Sequence, residues 1–339
     1  MMRSKRSRWT LATVAVGAVL LVAGCTATPV SGSGTSSGAG DTNAKAPGDI
    51  TIGSIVYGMD TVPFLAKLAD AETQEAAKLG VKLKVVNGGS DATTQVAQMQ
   101  QYIASKVDLI LLTTSNGGAL IPAVKEANAA GIPVIAVNTP VPTDKGATVV
   151  TYVGADDYTY GVGEGNMLVD AIGGKGDVAL ILGVLGTTPQ VQRTQGIKDV
   201  VAKHTDINIV TSVTDSWQNA KALSVTQDLL SKYPKGKLQA IIAEGPELYV
   251  GAEYAASIGR TEIKFIAGDY PTEVEKAIKA GTVYGTVNQS PVAEAVTGVQ
   301  AAVNWLTGKK DLVKTPNMNI PLPNITKENV DSLPAEWTF

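Results

Sequence analysis

A recurring exit from helix to strand constrains this chain more than any other feature. Four times a helical stretch ends in Gly, and an apolar, β-branched segment follows at once or within a few residues. Lys78-Leu79-Gly80 runs into Val81-Lys82-Leu83-Lys84-Val85-Val86, and Ala129-Ala130-Gly131 into Ile132-Pro133-Val134-Ile135-Ala136-Val137. Ser257-Ile258-Gly259 precedes Ile263-Lys264-Phe265-Ile266-Ala267, and Lys279-Ala280-Gly281 precedes Thr282-Val283. Gly after a helix takes the left-handed conformation that turns the chain out of it. Residues 50–56, 109–112, 149–153, 178–182, 207–213 and 240–243 are further strand candidates. Pro63 opens a helical stretch with Leu65, Leu68, Ala69, Ala76 and Leu79 near the 3.6 period. Nearly continuous apolar strands alternating with amphipathic helices mean parallel sheets covered on both faces. The strands are too many for one comfortable sheet, so the chain is expected to be α/β with two similar lobes. A Gly-Ala-Asp-Asp turn at 154–157 marks a first boundary.

The N-terminus reads as an address. Arg3, Lys5, Arg6 and Arg8 precede an uncharged apolar run, Leu11 to Ala23, of 13 residues. That is short for a membrane-spanning helix and right for a signal segment. The run ends Val22-Ala23-Gly24-Cys25, with small residues directly before the only cysteine. This pattern resembles a bacterial lipobox, which implies cleavage after residue 24 and lipidation of Cys25. Removing residues 1–24 takes away four of the 28 Lys+Arg and none of the 31 Asp+Glu, leaving a net charge of −7. An acidic chain lacks the field that nucleic acid requires. Residues 25–48, including Ser-Gly-Ser-Gly-Thr-Ser-Ser-Gly-Ala-Gly, are too poor in apolar side chains to order themselves and read as a tether.

Parallel α/β sheets bind ligands at the carboxyl ends of their strands. Here those ends read Tyr57-Gly58-Met59-Asp60, Asn138-Thr139-Pro140, Asp215-Ser216-Trp217-Gln218, Glu244-Gly245-Pro246-Glu247, Gly268-Asp269-Tyr270 and Asn288-Gln289-Ser290. Taken singly, each polar residue is explained as a cap or a solvated turn. Placed together, they are groups for hydrogen-bonding a polyhydroxyl ligand and stacking on its C–H faces. Enzyme chemistry finds few parts. With one His and one Cys, zinc sites and Ser/His/Asp triads are starved. No metal and no cofactor is expected. Gly161-Val162-Gly163-Glu164-Gly165 lacks the dinucleotide spacing, and Gly173-Gly174-Lys175-Gly176-Asp177 is no phosphate loop. His204 reads as a solvated helix-end residue, and Asp156-Asp157 as turn and capping carboxylates.

From residue 50 onward the chain resembles the ribose-binding-protein-like family of type I periplasmic binding proteins. The resemblance is carried by Gln74-Glu75-Ala76-Ala77-Lys78-Leu79-Gly80, Ala129-Ala130-Gly131-Ile132-Pro133-Val134, Arg193-Thr194-Gln195-Gly196, Gly268-Asp269 and Gln289-Ser290-Pro291. It implies two Rossmann-like lobes joined by a three-crossover hinge, with crossings near 155–156, 288–289 and 316–319. The first lobe would then be residues 49–155 plus about 288–318, and the second 156–287 plus about 319–339. It also implies a ligand site. Phe64 and Trp217 stack on the ligand from opposite lobes, Asp269 accepts from it, Gln289 is the hinge amide, and Tyr57 ends the first strand. Three departures stand out. The family's Asp-Arg pair is Asn138-Thr139 here, its second ligand arginine falls at about Val191, and its Asn-Asp after the second-lobe strand is Glu244-Gly245-Pro246-Glu247. Asn138, Gln190 and Glu244 are left to pair with hydroxyls. With no Arg expected in the pocket, a phosphosugar or an acid is disfavoured. The function implied is a non-enzymatic, monomeric, lipid-anchored receptor outside the cell membrane. It would deliver a small neutral sugar or sugar alcohol to an ABC permease and its ATPase. The alternative is a sensory sugar or autoinducer receptor of the same fold.

Overall fold

A computed structural model describes residues 44–339. The expected signal segment, Cys25 and most of the tether lie outside the described residues. From there the chain alternates strand and helix: β1 (Thr51–Val56), α1 (Pro63–Leu79), β2 (Lys82–Asn87), α2 (Ala92–Ala104), β3 (Leu109–Thr113), α3 (Gly117–Ala129), β4 (Val134–Val137), β5 (Tyr152–Gly154). A second series follows: α4 (Asp157–Ile172), β6 (Gly176–Leu182), α5 (Thr188–Val201), β7 (Ile207–Thr214), α6 (Asn219–Lys232), β8 (Ala240–Ala243), α7 (Leu248–Ser257), β9 (Lys264–Gly268), α8 (Thr272–Ala280), β10 (Gly285–Val287). The chain ends with α9 (Pro291–Leu306), β11 (Asn317–Asn319) and β12 (Asn324–Thr326).

Two six-stranded sheets result, ordered β11-β5-β4-β3-β1-β2 and β12-β10-β9-β8-β6-β7. They share one spatial plan. All pairs are parallel except β10 with β12. Central strands β3, β4 and β8 are buried throughout, whereas the edge strands β2 and β7 alternate or stay partly exposed. That is the signature of sheets with helices on both faces. The four helix-exit glycines, Gly80, Gly131, Gly259 and Gly281, all have φ between 70° and 81°. The chain passes between sheets after β5, after β10 and between β11 and β12. The third passage falls at 320–323, a few residues beyond the expected place. Two strands sit later than the apolar runs suggested: the run at 149–153 pairs only from Tyr152, and that at 282–283 precedes β10. β11 and β12 are three residues each and rich in Asn, so they carry no apolar signal.

The glycine run at 161–165 has a packing role. It lies inside α4, against α5. A Cβ on Gly161 would sit 2.1 Å from Arg193 O, one on Gly165 2.9 Å from Val200 Cβ, and one on Gly196 2.4 Å from Tyr158 O. These glycines let two helices touch backbone to backbone, which brings Arg193 over the sheet.

Candidate functional site

The carboxyl ends of the strands hold most of the backbone strain. Five non-glycine residues among those described have positive φ: Lys106, Asn138, Ser216, Trp217 and Asp269. Four of them follow β4, β7 and β9 at these ends. Left-handed backbone costs about 1–3 kcal/mol per ordinary residue and survives where surroundings enforce it, often at ligand sites.

Arg193, on α5, organises the second lobe's side of the site. Its Nε donates to Asp157 Oδ1 at 3.0 Å, Nη1 to the Glu244 carbonyl at 2.9 Å, and Nη2 to Gln289 Oε1 at 2.6 Å. Asp269 Oδ1 lies 3.9 Å from Nη1, and the guanidinium stacks 3.7 Å from the Tyr160 ring centre. Tyr160 donates to Asp269 Oδ1 at 3.0 Å. The expectation of a pocket without arginine is therefore corrected. The family's position falls at Val191, which is exposed. Two residues on, the helix turns Arg193 inward, where it is 5% exposed. Three of its five N–H groups are taken by protein acceptors, and its charge lies beside the Asp157 and Asp269 carboxyls.

The network continues through the second crossover. Gln289 Nε2 donates to Glu294 Oε1 at 2.7 Å, and Asn138 Nδ2 donates to Glu294 Oε2 at 3.0 Å. Asn138, at the end of β4, is thus linked to β8 and β9 through Glu294, Gln289 and Arg193. Glu294 is fully buried, and burial pushes its carboxyl up to about 8 despite these two hydrogen bonds. On the second lobe, Glu244 accepts from Gly183 N at 2.9 Å and from Thr194 Oγ1. Burial raises Glu244 to about 7, Glu247 to about 8 and Asp215 to about 6. Asp269 and Asp157 are also raised by burial, against the pull of Arg193. Glu247 Oε2 has no hydrogen-bond partner. This wall is rich in acceptors.

Trp217 is half-buried and its indole lies across the ends of β6 and β8. A Cβ on Gly183 would fall 2.1 Å from Trp217 Cε2, and one on Gly245 2.5 Å from Cδ1. Gly245 makes room for the ring. Asp215 Oδ1 accepts from Trp217 N at 2.9 Å and fixes the turn.

The other expected residues are placed as follows. Tyr57 is half-buried at the end of β1, its hydroxyl raised by burial and then by nearby Glu294. Thr139 donates to Asn138 Oδ1 at 3.3 Å. Gln190 does not stand free: its amide closes its own loop, accepting from Gly186 N at 2.9 Å and donating to Thr194 Oγ1 at 3.0 Å. Phe64 is not an open stacking face. It is 8% exposed, in the first-lobe core, with Trp337 edge-on at 5.6 Å and 88°. Tyr160, Glu294 and Trp337 carry no strand-end signal in the sequence, Asp157 reads there as a turn or capping carboxylate, and Glu247 is one member of a polar strand end. Glu294 did leave a trace: it is the single charged residue in the Pro291–Leu306 helix.

Among the described residues, no group of acidic, His or Cys side chains could hold a metal, and no helix is long and apolar enough to cross a membrane. Two cavities, of about 350 and 300 Å³, open at the amino ends of the strands, one in each lobe, away from this network.

Twin doubly wound sheets, joined by three crossovers and presenting polar strand ends around a shared hinge, define a two-lobed binding protein of the type I fold. A model of the periplasmic binding protein domain matches residues 52–310, and the chain belongs to that family. It is a binding protein, not an enzyme. It is 30% identical over 298 residues to the xylitol-binding protein of Mycolicibacterium smegmatis, covering 88% of this chain and 82% of that protein. It is 29% identical over 278 residues to the ribose import binding protein of Escherichia coli, covering 81% and 90%. A solute-binding protein of Mycobacterium smegmatis crystallised with glycerol superposes with a TM-score of 0.74 at 25% identity, covering 86% and 99%.

Proposed function

We propose that this chain is the solute receptor of an ABC importer. It captures a small neutral sugar or sugar alcohol between its lobes and hands it unaltered to a permease and its ATPase. One observation carries the reading: Trp217 is seated across the ends of β6 and β8 amid Asp215, Glu244, Glu247 and Asp269. A flat ring buries the C–H surface of a polyol, and carboxylates accept from its hydroxyls. A hydroxyl both donates and accepts, so it pairs with a carboxyl in either protonation state. The names of the relatives, which bind xylitol and import ribose, point the same way. Ligand contacts from both lobes favour the closed form, which a permease would read. A monomer is sufficient for this cycle. Residues 49–155 with about 288–318, and 156–287 with about 319–339, serve as the two jaws. Cys25 carries the lipid that holds the receptor on the outer face of the cell membrane.

A thermal-shift titration tests the reading. Xylitol, ribitol, erythritol, glycerol, myo-inositol, D-ribose and D-allose are each added over a wide concentration range. At least one should raise Tm progressively, as mass action requires. A flat response to all of them, alongside a shift with an acidic or phosphorylated sugar, would overturn it.

A further inference from the structure

The last five residues run between the lobes. On the second-lobe side, the Trp337 carbonyl accepts from Thr272 N at 2.9 Å and from Thr272 Oγ1 at 3.0 Å. Glu273 accepts from Thr338 Oγ1 at 2.7 Å and from Phe339 N at 3.1 Å, and Glu275 Oε2 accepts from Ala335 N at 3.0 Å. The Phe339 ring sits 6.3 Å from Tyr249 on α7 and 5.5 Å from Trp337. All these anchors lie at the first turns of α7 and α8. Toward the first lobe the tail makes different contacts. Trp337 packs edge-on against Phe64 of α1 and is 7% exposed within the first-lobe core, and Ser290, in the second crossover, donates to Glu336.

We propose that this tail is a clasp across the hinge, and that Trp337 acts on ligand affinity through the balance of open and closed forms. The asymmetry of its contacts fixes how it works. Polar bonds secure the tail to the second lobe, while a ring–ring contact and one hydroxyl bond hold it to the first lobe and the crossover. When the lobes part, the tail stays with α8 and the Phe64–Trp337 contact is what must break. That contact therefore biases the unliganded receptor against opening. A receptor whose competent form is less populated shows a proportionately weaker apparent affinity.

The test measures the gap and the affinity separately. Spin labels replace exposed Gln101 and Lys203 in the full chain carrying Cys25→Ser, and electron–electron distances are read without ligand. Trp337→Ala should lengthen or broaden the distribution, Glu336→Ala should do so more weakly, and Trp337→Phe should stay near the parent. Affinity for the polyol that gives the largest thermal shift should fall on the order of 10-fold in Trp337→Ala and recover in Trp337→Phe. Glu336 is an exposed side chain, so its variant reads the clasp even if Trp337→Ala misfolds. Unchanged distances in both Ala variants would overturn the proposal, as would native affinity in Trp337→Ala. The affinity arm rests on the proposed function and the distance arm does not. Longer distances in a chain that binds none of the polyols would leave the clasp standing and remove the transport reading.

Discussion

Trp217 and Ser216 are two consecutive left-handed residues, with φ of 56° and 54°. Such a pair holds only if the neighbours leave no alternative, and Gly183 and Gly245 supply the seat. In Gly245→Ala the new methyl would fall 2.5 Å from Trp217 Cδ1 and 2.4 Å from Glu247 Oε2. Overpacking of this kind costs about 1–3 kcal/mol. The urea midpoint should drop accordingly and the Trp217 emission should shift; an unaltered midpoint and spectrum would show that the ring is not held there. The sequence offers Trp217, Asp269 and Gln289 as candidates because they close apolar strands at recognisable places. Arg193 belongs to a recognisable motif, but its role as organiser has no sequence signal, because its direction depends on how α5 is rotated against α4. Phe64 was read as a stacking ring because nothing in the sequence brings residue 337 beside residue 64.

At the scale of elements, the helix–helix contact of α4 with α5 deserves the sharpest test. Its close approach puts Gly161 against the backbone of Arg193, which cannot swing aside, whereas Gly163 faces the side chains of Asn324 and Val287 at 3.0 and 3.1 Å. Gly161→Ala should destabilise the chain by about 1–3 kcal/mol or more, and Gly163→Ala by less. Equal denaturation midpoints for the two variants would contradict this packing. Strands and helices with apolar cores were readable from period and glycine exits. β11 and β12 were not, because a three-residue, Asn-rich strand is defined by its partner and not by its own side chains. In the sequence the glycine run of α4 only lacks the dinucleotide spacing; its role as a helix contact requires knowing which helix lies opposite.

For the whole molecule, buried carboxyls set the response to pH. Glu294 and Glu247 are raised to about 8, Glu244 and Glu72 to about 7, and Asp215 to about 6, each chiefly by burial. In the unfolded chain such groups titrate near 4. Between those values the native state holds more protons than the unfolded state, so stability falls as pH rises. The ligand-free receptor should therefore melt several degrees lower at pH 8 than at pH 5.5 in scanning calorimetry. A Tm that climbs over that interval would mean these carboxyls are not buried as described. The two-lobed plan was visible because the strand–helix rhythm repeats, whereas the tail's return across the lobes has no periodic trace.

The central claim is capture of an uncharged polyhydroxyl molecule in the cleft, by Trp217 and Asp269. Isothermal titration of the parent chain, Trp217→Ala and Asp269→Ala with the polyol that gives the largest thermal shift tests it most directly. The parent should bind saturably with one site, and both variants should lose binding while each still unfolds cooperatively. Native affinity in both folded variants would contradict the site and the function drawn from it.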